Sequence, residues 1–220
     1  MLPPDMDFPI EVVDLSHSIG PAMPVWPGTP GPEFLKLSSV ADDGYAEQSI
    51  RMSSHTGTHL DAPAHIIDGG ASLDSFDPGS FFGRGACFGV PVAADGVISR
   101  ELLAPLAESL GTIDFLLLHT GWSRFWGGPA YDRGYPVLDS GAADLLCSLT
   151  LKGIGIDAPS FDLPESRDYP VHLRLLSAGV LLVENMTDLH LLPSYGFLLS
   201  VFPLRITGAE ACPVRAVAML

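Results

Sequence analysis

The stretch that most constrains the local fold reads Ser53-Ser54-His55-Thr56-Gly57-Thr58-His59-Leu60-Asp61-Ala62-Pro63-Ala64-His65. It holds three of the seven histidines of the chain and one carboxylate. Divalent transition metals bind imidazole nitrogen and carboxylate oxygen in this kind of mixture. The stretch therefore predicts a metal site with His55, His59 and Asp61 as ligands. His65 is either a further ligand or a free imidazole that transfers a proton at neutral pH.

Ligand geometry predicts a turn inside this stretch. In a straight strand His55 and His59 share one face but lie about 13 Å apart, whereas two donor atoms of one ion lie about 3 Å apart. A helix is disfavoured by Gly57, the β-branched threonines beside it and Pro63. We therefore expect a bulge or turn at Gly57, where no Cβ obstructs the bend.

Composition predicts one globular domain over residues 1–220 and excludes several partners. The chain is 47% hydrophobic and only 17% charged, which is below the roughly 25% usual for soluble domains and argues against disorder. Lys and Arg number 11 against 26 Asp and Glu, for a net charge of −15. Such an acidic chain repels nucleic acid and anionic membrane surfaces, so a small molecule is the expected partner.

Two further features predict a cytoplasmic protein. Residues 1–5 lack a basic leader region, and the apolar runs are too short to span a bilayer. The cysteines Cys87, Cys147 and Cys212 lie far apart and form no CxxC pair. An odd, sparse cysteine count is typical of a reducing compartment.

Apolar runs separated by turn residues predict an α/β or α+β architecture with a mixed sheet. Strands are expected at 10–15, 45–54, 86–92, 115–120, 153–156, 180–183 and 196–204. Helices are expected at 140–149, at 173–177 with Gly179 after the C-cap, and at 99–110, where Pro105 is a candidate break. Residues 19–32 are rich in proline and glycine and predict an irregular loop.

The segment from His55 to His65 matches the pattern HxGTHxDxPxH. It resembles the signature of the cyclase-like metal hydrolases, the family that includes bacterial kynurenine formamidase and isatin hydrolase. Further stretches resemble family landmarks in the same order, and they extend the likeness over nearly the whole chain: Asp14-Leu15-Ser16, Pro24–Gly28, Thr120-Gly121-Trp122, Gly155–Asp162 and Pro213–Val217. The resemblance implies a mixed β-barrel-like core flanked by helices, of the swivelling β/β/α type, and a homo-oligomer, either dimer or tetramer.

The resemblance also implies the metal ligands. His55, His59 and Asp61 would hold one ion, and a second ion would be held by Asp61 together with His172 and Glu184. His65 would be the proton donor and acceptor. The number of ions per chain stays open between one and two, and the metal between zinc and manganese. An unpaired Glu184 at the end of a buried strand would be costly, and a metal would relieve that cost.

The same resemblance places Trp26 against the substrate, where an indole stacks on a flat molecule. Trp122 and Trp126 are candidates for the wall of the same pocket. Arg51 or Arg124 are candidates for binding an anionic group of the substrate. The three remaining histidines lack partner spacing and are interpreted as structural: His17, His119 and His190.

The implied activity is hydrolysis of a non-peptide C–N bond in a small amide by metal-activated water, without an organic cofactor. Arylformamidase activity is the leading expectation, namely conversion of N-formylkynurenine to kynurenine and formate in tryptophan catabolism. Thr29 stands where many relatives carry Asp, so isatin hydrolase, another cyclic amidase and a dehydrating cyclase stay as alternatives. A non-catalytic metal-binding protein is the alternative from another class, and it would have a closed site with four ligands.

Overall fold

The computed structural model describes residues 11–91 and 96–220. In that part of the chain the strands are β1 (Val12–Asp14), β2 (Glu33–Ser38), β3 (Glu47–Arg51), β4 (His59–Asp61), β5 (Phe82–Gly89), β6 (Val97–Ile98), β7 (Phe115–His119), β8 (Val137–Leu138), β9 (Gly153–Ile156), β10 (Leu181–Glu184), β11 (Phe197–Ser200), β12 (Ala211–Pro213) and β13 (Val217–Met219). The α-helices are α1 (Val40–Asp43), α2 (Arg100–Ser109), α3 (Ser140–Cys147) and α4 (Pro170–Ser177).

One nine-stranded sheet forms the centre of the fold. Its order is β1-β13-β11-β5-β7-β9-β10-β4-β12. Strands β5, β7, β9 and β10 run parallel to one another, and the other pairings in this sheet are antiparallel. The expected mixed α/β architecture, a curled sheet flanked by a few helices, is confirmed. Two smaller sheets pair β2 with β3 and β6 with β8.

The central strands are buried on both faces, which is why they are continuous apolar runs in the sequence. Alternate side chains of β7 point to opposite sides, so that Phe115 and Leu117 pack in one core cluster and Leu116 and Leu118 in the other. Helices α2, α3 and α4 cover the second cluster through residues such as Leu103, which is buried. Helices therefore cover this face of the sheet, and the side chains of β10 on this face pack against α4.

Most predicted elements are confirmed, with shifted ends. The run 10–15 contains β1, and Ile10 lies outside the described residues. The 86–92 run belongs to the longer β5, and Val92 also lies outside the described residues. Helix α2 continues through Pro105, so the candidate break is wrong. Helix α4 begins three residues earlier than predicted, because Pro170 takes its first position. Gly179 follows its C-cap with φ of 78°.

An exposed ribbon forms where β2 pairs with β3. Sequence analysis predicted a strand at 45–54, but β2 was missed because it shows no clean alternation. Leu35, Leu37 and Ile50 are exposed apolar residues of this ribbon. Self-association of the chain stays a prediction. Among the described residues no helix combines the length and apolar character of a membrane span.

Candidate metal centre

Strand β4 sets the centre of the site, because it pairs with β10 on one side and β12 on the other. The register places His59 opposite Glu184. Leu60 and Val183 point into the core cluster away from the helices. The alternation along each strand therefore turns His59, Asp61 and Glu184 to the face that α4 covers. His59 Nε2 lies 3.5 Å from Asp61 Oδ1 and 3.4 Å from Glu184 Oε2.

The predicted turn at Gly57 is present. Gly57 has φ of 65°, in the left-handed region, and residues 52–58 form no strand. The turn brings His55 back toward β4, with its Nδ1 3.0 Å from Asp61 Oδ1. The ring centroids of His55 and His59 are 5.0 Å apart. A side chain at Gly57 would be strained by this φ and would also crowd Ile19, whose Cγ1 would lie 3.3 Å from the added Cβ.

Helix α4 contributes His172 from above the sheet. Its Nε2 lies 3.1 Å from Glu184 Oε1 and 3.8 Å from Asp61 Oδ2. The Asp162 carboxylate accepts hydrogen bonds from the backbone N–H groups of Val171 and His172 at the start of α4. The same carboxylate lies 2.7 Å from His172 Nδ1. Asp162 thus fixes both the helix end and the imidazole, and it leaves Nε2 directed at the site.

His55, His59 and His172 each have a partner on the side of the ring away from the centre of the site. His59 Nδ1 lies 2.8 Å from the Gly57 carbonyl oxygen. His55 Nε2 lies 3.7 Å from Glu210 Oε1, and Ser54 donates its hydroxyl to that carboxylate. Asp162 and Glu210 were missed by sequence analysis, since nothing in their spacing relates them to the histidines. Such outer partners orient metal-binding imidazoles and select their tautomer.

The floor of the site contains buried polar atoms that lack a hydrogen-bond partner among the described residues. Both carboxylate oxygens of Asp61 and Nε2 of His59 are buried and lack a hydrogen-bond partner within the described residues. Leaving such groups unpaired in the interior costs free energy. A divalent cation would satisfy all three atoms at once. The residues present therefore fit a metal ion.

The donors form two sets that share Asp61. In each set the ligand atoms lie within 4.8 Å of one another: His55, Asp61 and His65 in the first, and His59, Asp61 and Glu184 in the second. His172 stands beside the second set through its contacts with Glu184 and Asp61. All six residues predicted from the sequence are thus brought together, and the assignment of each to an ion stays a prediction.

The buried charges at the floor stabilise one another. Burial disfavours protonation of His59, but the charges of Asp61 and Glu184 outweigh it and raise its pKa to about 9. Burial likewise opposes a charge on His172, and its hydrogen bonds with Asp162 and Glu184 raise its pKa to about 10. Burial alone would raise the pKa values of Asp61 and Glu184, but the neighbouring imidazoles lower both.

His65 lies at the edge of this cluster. Its ring centroid is 4.2 Å from that of His55 and 5.9 Å from that of His172. Burial lowers its pKa below the ordinary value, and the charges of His55 and His172 lower it further, against the attraction of Asp61. The imidazole is therefore neutral at neutral pH. A neutral imidazole has a free nitrogen lone pair and can accept a proton.

A cavity of about 230 Å³ opens above the donors. Its residues include His55, His59, His65, His172 and Glu184 together with the aromatic side chains Trp26, Trp126, Tyr131 and Tyr169. Trp26 thus lines the cavity, and its contact with a substrate stays a prediction. An aromatic wall of this kind accepts a flat, apolar ligand.

Two predictions about the cavity wall need correction. Trp122 does not line the cavity, because its indole N–H donates to the Tyr131 carbonyl and its ring packs on Phe125 and the helix-side core. Trp126, the other candidate for the wall, does line the cavity. Arg51 is also elsewhere, with its side chain 81% exposed beside Glu33.

Arg124 does not line the cavity either, because its guanidinium lies over the Phe125 ring, 4.6 Å from the centroid. An anionic group in the cavity therefore meets neither of the two arginines proposed for it.

Asn185 connects the metal centre to the cavity wall and was missed by sequence analysis as a functional residue. It follows Glu184 with φ of 56°. Its amide donates to the Gly57 carbonyl oxygen, and its side-chain oxygen accepts from the Tyr131 hydroxyl. Thr58 donates its hydroxyl to the Asn185 backbone carbonyl. These bonds tie the Gly57 turn to the end of β10, which positions His59 against Glu184.

His17 supports the cavity wall from behind. Its ring stacks on Trp126 with centroids 3.8 Å apart and an interplanar angle of 2°. Its Nε2 is buried without a hydrogen-bond partner in the described structure. Burial lowers the pKa of His17 to about 4, so the ring is neutral. The structural role predicted for His17 agrees with this packing.

Comparison of sequences and comparison of structures both find that this chain is similar to known hydrolases. The Cyclase family model matches residues 13–163. Kynurenine formamidase of Salinibacter ruber is 30% identical over 212 residues, which cover 94% of this chain and 96% of that protein. An isatin hydrolase bound to the product analogue thioisatinate superposes with a TM-score of 0.87 at 25% identity, covering 96% of this chain and 92% of that one.

A structure described as a predicted metal-dependent hydrolase from Bacillus stearothermophilus superposes with a TM-score of 0.78 at 28% identity. The match covers 96% of this chain and 98% of that one. The likeness in sequence and fold therefore extends over nearly the full length of each of these relatives.

Proposed function

The chain belongs to the cyclase family, and from this premise we propose that it is a metal-dependent hydrolase that opens a small amide or lactam. Its relatives are named for hydrolysis of C–N bonds outside peptides, and the chain is an amidohydrolase of this kind. The observation that carries the proposal is the set of buried, unpaired donor atoms at the floor of an aromatic cavity.

The donor set defines what the chain holds in place. His55, His59 and Asp61 would bind one ion, and His172 and Glu184 would join Asp61 for a second. A divalent ion held there would lower the pKa of a water molecule toward neutrality and would polarise the amide carbonyl. The carboxylates of Asp61 and Glu184 face the imidazoles at 3.0 to 3.8 Å, which keeps the donors assembled before any ion arrives.

His65 moves the proton in this proposal. Its imidazole is neutral and lines the cavity beside His55 and His172. It accepts the proton of the attacking water and then donates it to the leaving nitrogen. The C–N bond breaks, and the products are a carboxylic acid and an amine. Trp26 and Trp126 orient a flat substrate and exclude water from the reacting carbonyl.

Two substrate classes follow from the relatives. An aryl formamide such as N-formylkynurenine is the first, since relatives 28 to 30% identical over most of the chain are named kynurenine formamidase. A cyclic amide such as isatin is the second, since isatin hydrolases superpose with TM-scores of 0.86 and 0.87. The aromatic wall fits both.

The proposal is tested by elemental analysis of the purified protein, with hydrolysis of N-formylkynurenine and isatin assayed before and after chelation. We expect one or two equivalents of zinc or manganese and hydrolysis of at least one substrate that is lost with the metal and restored by it. Metal without hydrolysis of any amide or lactam would support the non-catalytic alternative. Failure to bind either metal would overturn the proposal.

The role of His65 is tested by His65→Ala, with His190→Ala as a control on an exposed histidine away from the cavity. A proton-transfer group contributes about 10²- to 10⁴-fold to the rate. We expect a loss of that size in kcat for His65→Ala with metal content kept. Loss of metal instead would make His65 a ligand, as its place in the first donor set also allows.

A further inference from the structure

The cavity has carboxylates around it but no lysine or arginine. Glu184 and Asp132 line it, and Asp61 lies at its floor. The chain has eleven Lys and Arg residues, all within residues 11–91 and 96–220, and none of them lines the cavity. A cavity that binds a carboxylate-bearing substrate normally supplies an arginine or lysine to meet it.

Asp132 differs from the two carboxylates at the floor. Asp61 and Glu184 face imidazoles, and a divalent ion would balance their two charges. Within the described residues Asp132 forms no ion pair with a histidine, and its side chain is 32% exposed at the cavity mouth. Asp132 forms an ion pair with Arg133, whose Nε lies 3.8 Å away on a side chain that is 83% exposed. An ion pair exposed to that degree is weak, so Arg133 does not hold the Asp132 carboxylate away from a ligand in the cavity.

Resting on the proposed function, we infer that the cavity selects amides whose group away from the scissile bond is neutral or positively charged, and that Asp132 is the residue that disfavours a carboxylate there. The amide must reach the donors at the floor, so the rest of the molecule points toward the mouth. Apolar walls of Trp26 and Trp126 limit solvent screening between that group and Asp132.

This inference narrows the substrate class. An uncharged lactam or an aryl formamide with a neutral or amine-bearing side chain fits the cavity best. N-formylkynurenine carries an ammonium and a carboxylate on the same carbon. Asp132 would attract the first and repel the second, so the two effects largely cancel. A formamide that carries only a carboxylate fits worst.

The test uses four aryl formamides with one skeleton and different side-chain charge. They are 2′-formamidopropiophenone, which is neutral; N-formylkynurenamine, with an ammonium; 4-(2-formamidophenyl)-4-oxobutanoate, with a carboxylate; and N-formylkynurenine, with both. We expect kcat/KM for the ammonium compound to exceed that for the carboxylate compound by about three- to fivefold, the range of a partly exposed charge pair. The ratio should shrink as sodium chloride is raised.

Asp132→Asn should bring this ratio close to one. The control is Asp68→Asn, which removes the same charge from an exposed aspartate outside the cavity and should keep the ratio. A wild-type preference for the carboxylate compound, or a ratio that Asp132→Asn leaves intact, would overturn the inference.

A binding experiment distinguishes failure of this inference from failure of the proposed function. The deformylated amines of the same four compounds can be titrated against the fluorescence of the cavity tryptophans. Absence of hydrolysis with binding in the order ammonium, neutral, carboxylate, and loss of that order in Asp132→Asn, would reject the proposed reaction and keep the selectivity. Hydrolysis of all four at equal kcat/KM would keep the reaction and reject the selectivity.

Discussion

The pKa values of the floor histidines, His59 and His172, and of the rim histidines, His65 and His17, are shifted in opposite directions. His59 and His172 are buried, yet their pKa values rise to about 9 and about 10. His65 and His17 are less buried, and their pKa values fall, for His17 to about 4. Burial alone disfavours the cation in all four. The floor histidines differ because carboxylates lie within 3.8 Å of both.

This difference shows that the protein keeps two kinds of imidazole a few ångströms apart. The floor histidines are cations that neutralise Asp61 and Glu184 until a metal replaces their protons. The rim histidines stay neutral, so one can accept a proton and another can stack on an indole. Carboxylate placement, set by strand register and by the start of α4, decides which kind each one becomes.

The largest expected effect comes from removing the carboxylate that both donor sets share. Asp61→Asn keeps the shape of the side chain but removes the charge, so the first set loses its only carboxylate and the second keeps only that of Glu184. We expect loss of bound metal and turnover below about a thousandth of wild type, as when a main electrostatic group of an active site is removed. Metal analysis and the amide assay measure both, with Asp68→Asn as the charge control. Full metal content in Asp61→Asn would show that the floor does not depend on this carboxylate.

The raised pKa values of the floor histidines predict that metal uptake expels protons. In the metal-free protein His59 and His172 each carry a proton at pH 7, whereas a metal ligand must be neutral. Metal uptake that uses both histidines should release about two protons. Below pH 9 the metal affinity should then rise by up to about 100-fold for each unit of increase in pH. Uptake through His59 alone should release about one. Calorimetry in buffers of different ionisation enthalpy counts these protons, and release of none would contradict the contrast between floor and rim.

The same shifts set the sign of the pH dependence of the metal-free fold. Both histidines hold their proton more tightly in the folded chain than at the unfolded value of 6.5. Their contribution to stability is complete below pH 6.5 and is lost as the pH rises through about 9 and about 10. Metal-free protein should therefore unfold at lower urea concentration at pH 9.5 than at pH 7.

The outer partners of the histidines give a smaller, graded effect. Asp162 is buried and lies 2.7 Å from His172 Nδ1, whereas Glu210 lies 3.7 Å from His55 Nε2 and is 40% exposed. Loss of an outer partner typically costs about 10- to 100-fold in metal affinity. We expect a loss in that range for Asp162→Asn and about threefold for Glu210→Gln, measured by competition with a chelator. The reverse order would mean that His55 contributes more to metal binding than His172 does.

The sequence predicted the part of the site that is local in the chain. His55, His59, Asp61 and His65 form one short segment, and the chemistry of metal ligands required a turn at Gly57. His172 and Glu184 were predicted from family resemblance, because their distance in the chain conceals the pairing.

Asp162, Asn185 and Glu210 were missed as supporting residues for a physical reason. Glu210 precedes Ala211, which pairs with Asp61 in the sheet, and only this long-range register reveals its place. Asp162 reaches His172 through the start of α4. In the same way, apolar runs predicted the buried strands, whereas the exposed β2 carries no such pattern.

The smallest expected effect tests the rim at His17, which the contrast requires to be neutral. The unfolded chain takes up a proton there near pH 6.5 and the folded chain only near pH 4. The contribution of His17 to stability is therefore present above pH 6.5 and is lost as the pH falls toward 4. His17→Phe keeps a ring against Trp126 and removes the titration, so it should flatten this acid loss by about 1–2 kcal/mol, a figure reduced for the partial solvent access of the ring. Urea unfolding of the metal-free protein between pH 4 and pH 7 measures the slope, with His190→Gln as the control. If the slope for His17→Phe matches that of wild type, the pKa of His17 is not lowered in the folded chain. The absence of a neighbouring carboxylate would then not be what separates the rim from the floor.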